Sequence, residues 1–96
     1  MEILLQIETK NYQKVRDILL KDEVVSLATV VFKEGKFLGK EGYYCYVSGL
    51  ETQCKKALEL TKDLAKEVGI KDKKDFISKM KEEENKAAEG FGGIFG

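Results

Sequence analysis

Apolar and polar positions alternate from the first residues of the chain. Between Glu2 and Glu8, Ile3, Leu5 and Ile7 fall on one side and Glu2, Leu4, Gln6 and Glu8 on the other. A period of two predicts a half-buried strand, with Leu4 the odd apolar residue on its polar side. Thr9-Lys10-Asn11 supplies turn chemistry, and Asn11 is placed to cap a helix begun at Tyr12. Tyr12, Val15, Ile18 and Leu19 then recur at helical spacing up to a polar break at Lys21-Asp22-Glu23. Val24 to Phe32 predicts a second strand. Its odd positions, Val25, Leu27, Thr29 and Val31, make the core face, which turns Val30 and Phe32 outward. Lys33-Glu34-Gly35-Lys36 reads as a hairpin connection in which Gly35 is free to take a positive φ. Phe37 and Leu38 open the return strand, Gly39-Lys40-Glu41-Gly42 bulges it, and Tyr43 to Val47 completes it.

Ser48 and Glu51 stand at capping-box spacing ahead of a helix expected from Gly49 to Val68. Cys54, Ala57, Leu58, Thr61, Leu64, Ala65 and Val68 share one arc of it. Gly69 suits its C-terminal end, with Ile70 folding back onto the last turn. A third helix is expected from near Asp72 to about Glu89, and residues 90–96 read as a flexible Gly/Phe-rich tail carrying Phe91, Ile94 and Phe95. The order is βαββα with an additional C-terminal helix. It predicts an α+β two-layer sandwich over residues 1–89, ferredoxin-like but lacking the fourth strand, with the first strand as an open edge.

Composition narrows the function. Seventeen basic and seventeen acidic residues cancel, seven of each sign in residues 1–48 and ten of each in residues 49–96. A nucleic-acid binder draws most of its affinity from basic excess, so that class drops. Arg16 is the single arginine, which argues against a bidentate anion clamp. Cys45 and Cys54 are the only cysteines and histidine is absent, so no zinc site, nucleophile–base pair or cofactor motif stands out. The start shows no signal-peptide pattern, and no apolar run is long enough to span a bilayer. The expectation is a cytoplasmic, non-enzymatic protein away from membranes. Its Lys- and Glu-rich composition without proline resembles that of thermophile proteins.

The remaining signals concern partners. Cys45 and Val47 suit the space beneath the second helix, which turns Tyr44 and Tyr46 to the opposite face with Leu4, Val30 and Phe32. Soluble monomers rarely leave such a patch open. Either the third helix and tail cover it, or a second copy, another protein or a ligand does. With Phe91, Ile94 and Phe95, these residues form the candidate partner surface. Gly42-Tyr43-Tyr44-Cys45-Tyr46-Val47 resembles the glycine-aromatic third-strand signature of RNA-recognition-motif domains, which implies base stacking on the sheet. The spacing is displaced by one residue and the first strand brings no aromatic partner, so RNA binding ranks third. The third helix runs from lysine (Lys71, Lys73, Lys74, Lys79, Lys81) to glutamate (Glu82, Glu83, Glu84, Glu89), an order that opposes its dipole; it reads first as a solvated helix that tolerates the pattern, and second as a helix facing an antiparallel symmetry mate. The reading is a small interaction module or complex subunit that self-associates, with a small-molecule-binding regulatory domain as the alternative.

Overall fold

Along the chain come β1 (Glu2–Ile7), α1 (Tyr12–Lys21), β2 (Thr29–Glu34), β3 (Tyr43–Ser48), α2 (Glu51–Thr61), β4 (Ala65–Glu67) and α3 (Ile70–Phe95). The computed structural model describes the backbone of residues 1–95 and the side chains of residues 1–83. The four strands form one antiparallel sheet in the order β2-β3-β1-β4.

The ends of the ladders set the hydrogen-bonding phase of every strand. Met1 N donates to the Gly49 carbonyl at 2.9 Å and Gly49 N returns the bond to Met1 at 3.0 Å. Bonded pairs alternate in an antiparallel ladder. Ile3, Leu5 and Ile7 therefore bond across to Val47, Cys45 and Tyr43, while Tyr44, Tyr46 and Ser48 turn their backbone groups toward β2. Gly35 N donates to Gly42 O at 2.7 Å, which assigns Thr29, Val31 and Lys33 as the bonded residues of β2. Val68 N donates to Leu4 O at 2.9 Å, so Leu4 and Gln6 face β4.

Side chains divide by the same alternation. On one face Ile3, Leu5, Ile7, Cys45 and Val47 pack with Val15 and Leu19 of α1 and Cys54 and Ala57 of α2. Tyr12 stacks on Tyr43 at 3.8 Å between centroids and meets Phe32 edge-on at 5.8 Å. On the other face Leu4 and Tyr44 are buried by Phe76 of α3, with Phe37, Leu38, Tyr46, Val68 and Met80 around them. Tyr44 and Tyr46 thus point away from α1 and α2, as the alternation predicts, and α3 supplies a third layer.

The structure departs from several expectations. The fourth strand is present: the helix expected to reach Val68 stops at Thr61, and β4 pairs Ala65–Glu67 with Ile7–Leu5. Thr61 returns its hydroxyl to the Ala57 carbonyl at 2.7 Å, and Leu64 N closes a turn on Thr61 O at 2.9 Å. The next residues then satisfy the outward backbone groups of β1, a tertiary gain that outweighs helix propensity. The first strand is consequently not an edge. Second, the Asp22 carboxylate accepts from Val24 N and Val25 N, both at 2.9 Å, and winds Val25–Leu27 into a 3-10 turn. Strand alternation restarts at Thr29, so Val30 and Phe32 pack on the α1/α2 face and Val31 on the other.

Third, Gly35–Leu38 is a 3-10 turn rather than the start of a strand, and Gly39–Gly42 is a loop rather than a bulge. Gly39 and Gly42 adopt positive φ, whereas Gly35 does not. At Gly42 a Cβ would stand 2.6 Å from the Ile7 carbonyl oxygen, so the position excludes larger residues on two counts. Fourth, Leu50 rather than Ser48 precedes α2, its N–H bonded to Gln53 Oε1 at 2.8 Å. Gly69 opens α3, its carbonyl accepting from Lys73 N at 3.1 Å, and Ile70 is exposed instead of folding back. Asn11 flanks α1, but its amide donates to the Leu64 carbonyl at 3.4 Å. The tail expected over residues 90–96 overlaps the end of α3, and the side chains of Phe91, Ile94 and Phe95 lie outside the described residues.

Phe76 is the one fully buried side chain of α3 among the described residues. Phe76→Ala should cost about 3–5 kcal/mol, the range for emptying an aromatic core site. Denaturant unfolding measures the loss, and hydrogen exchange should show the amides of α3 opening before those of α1 and α2.

Candidate functional site

Three places could serve as a site: the face under α3, the groove beside α3, and the free edge of β2. The face under α3 holds the aromatic residues singled out above. Phe76 sits 6.2 Å from Tyr44, 6.0 Å from Tyr46 and 5.3 Å from Phe37, centroid to centroid. Tyr46 donates its hydroxyl to Glu2 Oε2 at 2.7 Å. Tyr44 has no such partner: its hydroxyl is buried and makes no hydrogen bond among the described residues. Burial pushes the Tyr44 phenol above its usual range, against the opposing charge of Lys40. Of the expected surface residues, Leu4, Tyr44 and Tyr46 therefore come together beneath a helix, Val30 and Phe32 lie on the other face, and Phe91, Ile94 and Phe95 fall outside the described side chains.

The groove beside α3 encloses about 400 Å³ between the Gly35–Gly42 segment and the helix, lined by Leu38, Lys40, Asp72, Asp75, Ser78 and Lys79 among others. Lys40 pairs with Asp72 at 3.4 Å and Lys79 Nζ donates to the Phe37 carbonyl at 3.0 Å. Its charges are thus partly spent in holding α3 to the loop. Among the described residues no three His, Cys, Asp or Glu side chains converge as metal ligands. The thiols lie in the core: burial pushes Cys45 up to about 12 and raises Cys54 as well. Neither is poised as a nucleophile.

The β2 edge differs in kind. β2 bonds to β3 on one side and has no strand on the other. From the ladder phase, Val30, Phe32 and Glu34 direct their N–H and C=O groups away from β3, outward from the sheet. Val30, Val31, Phe32 and Lys33 are half-buried, a mostly apolar row at the rim. Leu27, at the entrance to the strand, is 80% exposed, and Val24 is 42% exposed. The opposite edge, β4, is three residues long and carries Lys66 and Glu67, which blunts it. This site escaped the sequence reading because the missing fourth strand moved the open edge to β1. The Asp22 turn before Val24-Val25, whose carboxylate accepts from both backbone N–H groups, is the signal that would have placed β2 correctly.

Comparison with known proteins adds no assignment: no family model matches the chain, and no curated protein or solved structure matches it.

The buried polar groups lend themselves to two measurements. Tyr44→Phe removes an unsatisfied hydroxyl and should leave stability unchanged or raise it by about 1–2 kcal/mol in denaturant unfolding. Cys45 binds its proton more tightly folded than unfolded, so its contribution is complete below the ordinary thiol range and is lost as pH rises from about 9 toward 12. Cys45→Ala should flatten the fall in stability across that window, measured against the parent by unfolding at each pH.

Proposed function

We propose that this chain is a small interaction module that associates with a second copy of itself, joining two sheets through β2. The reading rests on one observation: β2 is the edge where unpaired backbone groups and apolar side chains coincide. Edges of this composition are templates for strand addition unless covered. Support comes from the other surfaces too. The outer sheet face is taken by Phe76, and β1 is enclosed by β3 and β4. Viewed as a fold, the order β2-β3-β1-β4 with α1 and α2 on one face favours a ferredoxin-like split βαβ unit, closed by a short β4 and covered by α3.

Symmetry restricts the pairing. A two-fold axis perpendicular to the sheet keeps inner residues opposite inner residues, so paired positions share parity. The bonded pairs must come from Val30, Phe32 and Glu34. An axis through Val31 meets both conditions. It sets Val30 against the partner's Phe32 on the α1/α2 face, and Val31 against its own symmetry mate with Thr29 against Lys33 on the other. This register keeps the apolar residues together, and a shift to an axis at Phe32 would oppose Val30 to Glu34. Two copies then share one eight-stranded sheet.

A ligand-binding reading has the groove at Leu38, Lys40 and Asp75 in its favour, and a thermal-shift screen against charged metabolites tests it. The self-association reading is tested at its axis. Val31→Lys places like charges opposite each other and should abolish the dimer in sedimentation equilibrium, as should Val31→Glu. Mixing the two variants should restore a heterodimer. A parent chain that sediments as a monomer at every concentration, or variants that dimerise unimpaired, would overturn the reading.

A further inference from the structure

One buried polar group is left without a partner beside the groove of about 400 Å³ between α3 and the Gly35–Gly42 loop. Tyr44 is fully buried, and its hydroxyl makes no hydrogen bond among the described residues. The charges that act on it are those of Lys40 and Asp72, two residues that line the groove. Burial keeps the phenol protonated, so it presents a hydrogen-bond donor that needs an acceptor. Lys40 and Asp72 are held to each other instead, at 3.4 Å and with both side chains reaching solvent. An exposed pair of this length is weak and opens readily.

The other charges of the groove are sorted along the helix. Lys40 and Lys71 stand by the first turn of α3, where the helix end adds positive potential. Asp75 lies one turn beyond Asp72, about 4.5 Å at the helical rise, and Glu82 follows two turns later. Neither of these two carboxylates takes part in an ion pair among the described residues. Lys79, between them, is committed to the Phe37 carbonyl. A positive end with an unused donor therefore stands one helical turn from an unpaired carboxylate.

We infer that this groove binds a free α-amino acid, whose carboxylate replaces Asp72 on Lys40 and accepts from the Tyr44 hydroxyl while its ammonium meets Asp75. Asp72 turns out to solvent, and Leu38 gives the ligand's side chain an apolar contact. The one-turn spacing suits two opposite charges carried on a single carbon. A phosphate would bring a second negative charge toward Asp75 and leave that carboxylate unanswered. The chain's one arginine, the residue best suited to phosphate, is Arg16 in α1, which is not among the residues lining the groove. This gives the groove named above its ligand class and is independent of the β2 pairing, because no residue of β2 lines it.

Ligand-observed NMR on the full chain tests it. The common L-amino acids, each taken to about 10 mM so that millimolar sites register, should include at least one that binds. Blocking that amino acid's carboxylate as the amide, or its amine as the N-acetyl form, should each weaken binding about tenfold or more. That is the scale for losing one hydrogen bond to a charged group. Tyr44→Phe, expected to fold at least as stably as the parent, and Asp75→Asn should each weaken it by a similar factor, and inorganic phosphate should not compete. Absence of binding by every amino acid, equal binding of the blocked forms, or full affinity in either variant would overturn the assignment. If another kind of charged metabolite raises the melting point while no amino acid binds, the groove remains a site and this ligand class is refuted. Sedimentation of the parent chain reads the β2 pairing separately.

Discussion

A sheet whose two faces are both apolar has to be covered twice, and here the second cover hangs on one ring. α1 and α2 close the inner face with two buried apolar side chains each, Val15 and Leu19 from one and Cys54 and Ala57 from the other. α3 closes the outer face chiefly with Phe76, set among Leu4, Tyr44, Tyr46 and Phe37. The contacts around it are of a weaker kind. Lys33–Glu83 and Lys40–Asp72 are exposed pairs, and such pairs contribute only about 0–1 kcal/mol. Two lysine-to-carbonyl bonds, from Lys73 to Glu2 and from Lys79 to Phe37, orient the helix rather than bury anything. The placement of α3 over the sheet is set by that aromatic insertion.

The unpaired hydroxyl of Tyr44 belongs to the same compromise. A phenylalanine would fill the space without the desolvation cost, whereas Tyr46 one pleat along recovers that cost by donating to Glu2. The two tyrosines share a face and a covering ring but not a hydrogen-bonding solution. The difference lies in position. Tyr46 is beside the start of β1, where a carboxylate is within reach, and Tyr44 lies deeper, near Lys40 and Asp72, which bond to each other instead.

Period-two patterns in β1 and β3 were legible because both strands are central and flanked by polar breaks. In β3 the small size of Cys45 and Val47 adds the choice of face, setting Tyr44 and Tyr46 outward and Cys45 and Val47 inward. β2 was legible in existence but not in phase. Val24 to Phe32 is apolar almost throughout, so alternation carries no information there, and the 3-10 turn at Val25–Leu27 reverses the parity of everything after it. β4 was hidden for the opposite reason. Leu64, Ala65 and Val68 continue the helical arc of α2 and equally suit the two faces of a strand, Leu64 and Ala65 inward and Val68 outward. Local pattern cannot separate those outcomes, and the empty flank of β1 decides between them. The candidate site inherited both errors: of the surface residues chosen from sequence, Leu4, Tyr44 and Tyr46 fell together beneath α3, and Val30 and Phe32 turned to the α1/α2 face with their backbone groups at the free edge.

An edge strand exacts opposite demands from its two sides, and β2 meets both within six residues. Val30 and Phe32 point their side chains into the core beside Tyr12, so they cannot be exchanged for lysine or proline, the usual protections of an edge, without damaging the fold. Their backbone groups nevertheless face outward. Protection can then come only from the ends, and it does at one of them: Lys33 and Glu34 are charged, while Leu27 at the other is apolar and exposed. In the proposed dimer, an antiparallel mate aligned on Val31 brings each protected end against the partner's unprotected one. The same pairing would turn two half-guarded edges into an interior strand pair. A strand only half-guarded as an isolated edge is consistent with one half of the proposed two-fold.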